Sequence, residues 1–171
     1  MIILIAGATH TGKTAFAQRL LEKYGYPYLS IDHLKMGLIH SGHCGLTPSS
    51  PEAELTRFLW PVLRGIINTA RENRQNLIIE GCYIPPDYQR DFQQESLPDI
   101  RYVCLVMSER YIEEHYGDIA RHSRVIERRV FGVVPPKRVL LEENRQNLEL
   151  CKKYRLDYVL IDSEYEINWE L

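Results

Sequence analysis

The residues Gly7-Ala8-Thr9-His10-Thr11-Gly12-Lys13-Thr14 hold the most concentrated chemistry in the chain. A glycine at each end of a short loop is followed at once by an ammonium and a hydroxyl. Gly7 and Gly12 let the backbone curl so that successive N–H groups turn inward and form an anion nest. A helix starting near Lys13 adds the positive end of its dipole. Lys13 would then reach the β- and γ-phosphates of a nucleotide, and the Thr14 hydroxyl would ligate Mg²⁺. The pattern predicts a nucleoside triphosphate cradled by Gly7, Thr9, His10, Thr11, Gly12, Lys13, Thr14 and Ala15. His10 occupies a variable position of the pattern and is given no catalytic role.

Other charged residues stand where such a site could use them. Asp32 follows the apolar run Leu29-Ser30-Ile31 and precedes a helical segment. A carboxylate beside the γ-phosphate can take the proton of an acceptor hydroxyl, or orient it for in-line attack. The same Asp32 could instead cap a helix starting at His33. Glu80 closes Leu77-Ile78-Ile79 and could hold a Mg²⁺-bound water or an acceptor hydroxyl, with Gly81 allowing close backbone approach. Its bland alternative is an exposed acid at a strand end. Arg121, Arg124 and Arg128 fall at i, i+3 and i+7, one helix face, with Arg129 turned aside. That face could close over the triphosphate, and Arg124 and Arg128 are assigned to stabilising charge during transfer. It could equally pair with Glu113, Glu114, Asp118 and Glu127 in solvent. Arg57 and Arg64 flank Trp60 and would suit an anionic acceptor; otherwise they are surface arginines. His33 and Tyr83 are weaker candidates.

These residues need elements to position them. Apolar runs fit for buried parallel strands occur at 2–6, 28–31, 77–79, 102–107 and 158–161, each bounded by turn or helix signals. Strands alternating with helices imply crossovers, hence a five-stranded parallel sheet covered on both faces, a doubly wound α/β architecture. A long insertion spans 33–76, where Ser50-Pro51-Glu52 reads as a helix start and Pro61 should kink or split the helix near Trp60. A polar helical block follows at 109–131, Pro135-Pro136 interrupts it, and another helix is predicted over 137–154. The chain reads as a single domain, 1–171, with 33–76 on the acceptor side and 109–136 as a lid-like segment.

Composition narrows the class. With 44% hydrophobic and 26% charged residues, the balance is that of a soluble globular protein. A net charge of −2 gives no global field favouring nucleic acid or an anionic membrane. No apolar run is long enough to span a bilayer, and the apolar start reads as a strand rather than a signal peptide. Cys44, Cys82, Cys104 and Cys151 show no C-x-x-C pairing, which predicts reduced thiols in a cytoplasmic protein. A zinc site at His40, His43 and Cys44 lacks a fourth ligand at a usual spacing.

Taken together, the loop after strand one, the insertion after strand two and the arginine-rich block after strand four resemble the P-loop small-molecule kinases. Within the nucleoside monophosphate kinase-like superfamily, the pattern is most similar to the chloramphenicol phosphotransferases and zeta-toxin-like kinases. The resemblance implies a P-loop nucleoside triphosphate hydrolase fold with a helical lid, and ATP-dependent phosphoryl transfer with Mg²⁺. It implies that Asp32 is the base of a hydroxyl-phosphorylating enzyme acting on a small-molecule acceptor. Monophosphate kinases carry Asp-Gly-Phe-Pro-Arg after strand three, whereas Gly81-Cys82-Tyr83-Ile84-Pro85 here lacks the arginine. The family holds adenine between the lid and the loop after strand five, where this chain offers Ser163-Glu164-Tyr165. The alternatives are a nucleotide or nucleoside kinase, and a regulatory nucleotide hydrolase without a small acceptor. Against the last, the chain has no Asn-Lys-x-Asp guanine-reading segment.

Overall fold

Every residue of the first strand is buried, which is what a parallel strand covered on both faces requires. The computed structural model describes residues 1–122 and 135–171. In chain order the elements are β1 (Ile2–Gly7), α1 (Lys13–Tyr24), β2 (Tyr28–Ser30), α2 (Ile31–His40) and α3 (Glu52–Glu72). They continue with β3 (Leu77–Glu80), β4 (Ile100–Met107), α4 (Glu109–His122), α5 (Lys137–Tyr154) and β5 (Tyr158–Ile161). The strands form one sheet in the order β2-β3-β1-β4-β5, parallel throughout. The alternation of side chains across β1 divides the core in two. Ile2, Leu4 and Ala6 pack with Leu55, Leu59, Leu63 and Ile67 of α3 on one face. Ile3 and Ile5 pack with Phe16, Ala17 and Leu20 of α1 and Ile112 of α4 on the other.

This order puts β1 at the centre, with β3 and β4 on either side of it. The chain therefore leaves β1 at a crevice beyond the carboxyl ends of the strands, where open α/β sheets bind ligands. The predicted doubly wound five-stranded sheet is the one observed. Boundaries moved slightly: β1 runs on through Gly7, β3 through Glu80, and β4 begins at Ile100. The second strand is shorter than expected, because Ile31 already belongs to α2.

Two local expectations are corrected. Helix α3 is continuous from Glu52 to Glu72 with Pro61 inside it, neither split nor ended at Trp60. Pro61 lies on the exposed side, while Leu59, Trp60 and Leu63 are buried around it. Burial of that apolar face outweighs the single ladder bond that proline removes. The residue preceding this helix is Pro51, and Ser50 does not cap it; the Ser50 hydroxyl accepts the Thr47 N–H at 2.9 Å. Part of the lid-like block, with Arg124, Arg128 and Arg129, lies outside the described residues.

Candidate active site

Between β1 and α1 the backbone alternates into the left-handed region, at His10 with φ 65° and at Gly12 with φ 81°. Such alternation is what turns consecutive N–H groups towards one point. Gly7 has φ 141°, and a Cβ there would lie 2.5 Å from the Leu105 carbonyl oxygen, so only glycine fits. Inside the loop, the buried Thr11 hydroxyl donates to the Ala8 carbonyl at 2.9 Å. The Thr9 hydroxyl and the His10 Nδ1 share a hydrogen bond of 2.9 Å, so this imidazole is spent within the loop. The first bond of α1 runs from the Phe16 N–H to the Gly12 carbonyl at 2.9 Å. The N–H groups of Lys13, Thr14 and Ala15 precede it, have no acceptor within the helix, and carry its positive dipole end.

Lys13 folds back across the mouth of this nest, its Nζ donating to the Ala8 carbonyl at 2.6 Å. It is 7% exposed. Burial works to lower its pKa, but Cys82, Glu80 and Asp32 around it win, and the net direction is upward. Burial also pushes the Cys82 thiol up, against the pull of the Lys13 ammonium beside it. Lys13 is thus a fixed cation with acidic neighbours, held against a carbonyl that a phosphate oxygen would replace.

Register places the next acid. In the β1–β3 pairing Glu80 lies opposite Ile5, and the Gly81 N–H returns to the Ile5 carbonyl at 3.1 Å. Glu80 is 3% exposed, and its Oε1 accepts the Thr14 hydroxyl at 3.2 Å. The alternative of an exposed acid at a strand end is therefore set aside. A hydroxyl and a carboxylate side by side at the helix start form a hard-oxygen donor set of the kind Mg²⁺ takes together with phosphates. These residues fit the ion. Among the described residues no group of three or more His, Cys, Asp or Glu side chains converges to hold a metal by itself, His40, His43 and Cys44 included.

A cavity of about 350 Å³ opens beside the loop, walled by Gly7, Ala8 and Thr9 on one side and by Asp32, Lys35 and Tyr83 on another. Asp32 is the second residue of α2, and Ser30 is the residue that precedes the helix, so Asp32 is not the helix cap. Its Oδ1 pairs with the Lys35 ammonium at 2.6 Å, and Lys35 also donates to the Tyr83 hydroxyl at 3.0 Å. Glu52, at the start of α3, is exposed as a residue, yet its carboxyl faces the cavity and loss of solvent raises its pKa. Glu143, from α5, is raised first by burial and then by the Glu52 charge, against a hydrogen bond from the Thr9 backbone. Helix α5 is fixed against the sheet by Asn144, buried and bonded to both the Met107 N–H and the Leu140 carbonyl at 2.8 Å.

The segment after β5 reaches the loop from the far side. The Tyr165 hydroxyl donates to the Thr11 carbonyl at 3.1 Å and lies directly over Gly12. The residue is 47% exposed, but the hydroxyl end is tucked in, and burial pushes its pKa up to about 12. Beyond it, Ile167 is buried and accepts from Arg19 at 2.6 Å, and Trp169 meets Phe16 edge-on.

The structure thus sets Thr14 against Glu80 and brings Glu80 and Asp32 within electrostatic reach of Lys13. It leaves others outside. Arg64 pairs with Asp91 at 3.5 Å, an acid that also accepts the Trp60 indole N–H at 2.8 Å. Arg57 and His33 are exposed and absent from the cavity wall. Arg121 pairs with Asp118 at 2.6 Å, the solvated arrangement considered for that face. Lys35, Glu52, Cys82 and Glu143 were not expected as parts of this site, while Tyr165 belongs to the loop after strand five that the resemblance pointed to. For Glu143 a signal existed: Glu143, Gln146, Asn147 and Leu150 are spaced to share one helix face, and all four line the cavity.

No protein-family model matches the chain, and no curated protein matches it. Solved structures do. A shikimate kinase from Bacteroides thetaiotaomicron is 18% identical, covering 98% of this chain and 89% of its own, with a TM-score of 0.57. The fold is that of the P-loop small-molecule kinases. A gluconokinase from Sinorhizobium meliloti 1021 is 22% identical, with 94% and 81% covered and a TM-score of 0.52. A sugar kinase from Janibacter sp. HTCC2649 is 18% identical, with 94% and 84% covered and a TM-score of 0.54. Among the described residues no helix is long and apolar enough to cross a membrane.

Proposed function

We propose that this protein is an ATP-dependent kinase that transfers the γ-phosphoryl group to a hydroxyl of a small molecule. One observation carries the reading: a single cavity has the phosphate loop, Gly7 to Thr9, and the Asp32 carboxylate in its wall. Donor and acceptor can therefore meet in one space. The loop and the start of α1 bind the triphosphate, and Lys13 moves from the Ala8 carbonyl to the β- and γ-phosphates. Thr14 and Glu80 would hold Mg²⁺, which when bound neutralises charge on the phosphates. The acceptor oxygen bonds to the γ-phosphorus as the bridging bond to ADP breaks, and Asp32 receives the hydroxyl proton. Lys35 holds the Asp32 carboxylate in place for this. Arg124 and Arg128 complete the assignment as charge stabilisers from the lid-like segment, 109–136, of a single kinase domain. The net charge of −2 and the free cysteines support a cytoplasmic enzyme without nucleic-acid or membrane partners.

A panel of hydroxyl compounds with ATP and Mg²⁺, read by product mass, tests this. A product heavier by one phosphoryl group is expected, and Asp32→Asn should lower its formation by about 10²-fold or more while ATP affinity stays within a few-fold. Hydrolysis of ATP at one rate with and without every acceptor would instead favour a regulatory nucleotide hydrolase. Phosphorylation of nucleosides or nucleotides alone would favour that branch.

A further inference from the structure

The cavity that adjoins the phosphate loop carries a lopsided charge. Asp32, Glu52 and Glu143 bring three carboxylates to its wall, and Lys35 brings the one ammonium among the described lining residues. Lys35 and Asp32 neutralise each other at 2.6 Å, and Lys35 spends a second proton on Tyr83. Lys13 is the next cation within electrostatic reach, and in the kinase reading the phosphates claim it. That leaves Glu52 and Glu143 facing one space from two different elements, the start of α3 and the middle of α5. The dipole at the start of α3 accounts for an acid at Glu52. No such account serves Glu143, which sits mid-helix with the Thr9 backbone N–H and the more distant Lys13 charge to balance it. Burial shifts both carboxyl groups upward, and at Glu143 the Glu52 charge adds to it, so neither has its charge fully offset. The rest of the wall is neutral, with Leu55, Leu150, Gln146 and Asn147 among it.

From this wall, and resting on the kinase reading above, we infer that the acceptor carries a protonated amine beside its hydroxyl, with the ammonium seated between Glu52 and Glu143. The substrate class is that of amino sugars and amino alcohols. An acidic acceptor would meet these two carboxylates and the triphosphate at once. A neutral polyol would enclose both acids without a counter-charge. An ammonium offers three donors to them, and the leucines accept the carbon skeleton.

The test uses matched triplets with ATP and Mg²⁺: glucosamine, glucose and gluconate, and an amino alcohol with its diol and hydroxy acid. Products are read by mass, and kcat/KM is compared within each triplet. The amine member should exceed its neutral parent by about tenfold or more, and Glu52→Gln and Glu143→Gln should each erode that preference roughly fivefold. Each variant should raise the KM for the amine more than the KM for ATP. Either one suffices if the other fails to fold. Equal or better use of the neutral or acidic members, or Gln variants with an unchanged preference, overturns the inference and leaves the kinase reading standing. A protein that binds ATP and labels no member of any triplet sinks both.

Discussion

The contact between Tyr165 and the phosphate loop can be tested without knowing the acceptor. A methyl group added at Gly12 would lie 1.8 Å from the Tyr165 hydroxyl oxygen and 2.8 Å from the ring carbon bearing it. The obstruction is the free end of a side chain, so in Gly12→Ala the ring should swing aside rather than the loop unfold. That forfeits the hydrogen bond to the Thr11 carbonyl, worth about 1 kcal/mol net. An alanine held near φ 81° adds about 1 kcal/mol of backbone strain, so the variant should lose about 2 kcal/mol. Tyr165→Phe alone should lose about 1 kcal/mol, since Ile167 and Trp169 still anchor the segment. The double variant should lose about 2 kcal/mol and not 3, because the bond removed by the second change is already gone. Urea unfolding of the four proteins reads this coupling of about 1 kcal/mol directly. In a trans peptide the C=O and N–H point opposite ways, so pinning the Thr11 carbonyl outward aims the Gly12 N–H into the nest. Each single variant should therefore also weaken Mg·ATP binding, by up to about fivefold, in a calorimetric titration. Additive stability losses within about 0.5 kcal/mol, with unchanged nucleotide affinity, would refute the argument.

Three further outcomes are expected. Asn144→Ala leaves the buried Met107 N–H without its acceptor and should lower stability by about 2–3 kcal/mol, measured by denaturant unfolding, with acceptor KM rising more than ATP KM because α5 forms one cavity wall. Glu143→Gln should stabilise the ligand-free protein at neutral pH and not in acid. Its folded pKa is raised, so the charged carboxylate is disfavoured in the fold: the penalty is absent below the unfolded pKa and complete once pH exceeds the folded one. Melting temperatures at pH 4 and pH 8 should show the difference between variant and parent growing with pH; a difference that shrinks would contradict the assignment. Glu80→Gln removes the buried charge beside Thr14 and should raise the Mg²⁺ concentration needed for half-maximal turnover about tenfold, so an unchanged Mg²⁺ dependence would separate Glu80 from the ion.

Much of the scaffold was legible because its signals are local. The strand at 158–161 and the helix at 137–154 occur with the boundaries their patterns predict. Pro61 misled because a propensity argument ignores what the rest of the helix buries: Leu55, Leu59, Leu63 and Ile67 outweigh one missing backbone bond. Asp32 was ambiguous between base and cap for a related reason. Only the observed start of α2 at Ile31 moves it off the cap and leaves its carboxylate in the cavity wall. Arg64 looked fit for an anionic acceptor until its partner Asp91, distant in sequence, came beside it.

By itself the sequence determined the loop proposed as the donor half of the site. An anion nest is built from consecutive N–H groups, two glycines and the start of one helix, so residues 7 to 14 specify it almost without help. The tertiary structure decided the other half. Lys35, Glu52, Tyr83 and Glu143 come from four separate stretches of chain, and no spacing among them announces a common purpose. They meet because the order β2-β3-β1-β4-β5 sets β3 beside β1 and α5 is bonded to the end of β4. Charge complementarity across a cavity is a property of that meeting, since fields act through space and take no account of distance along the chain.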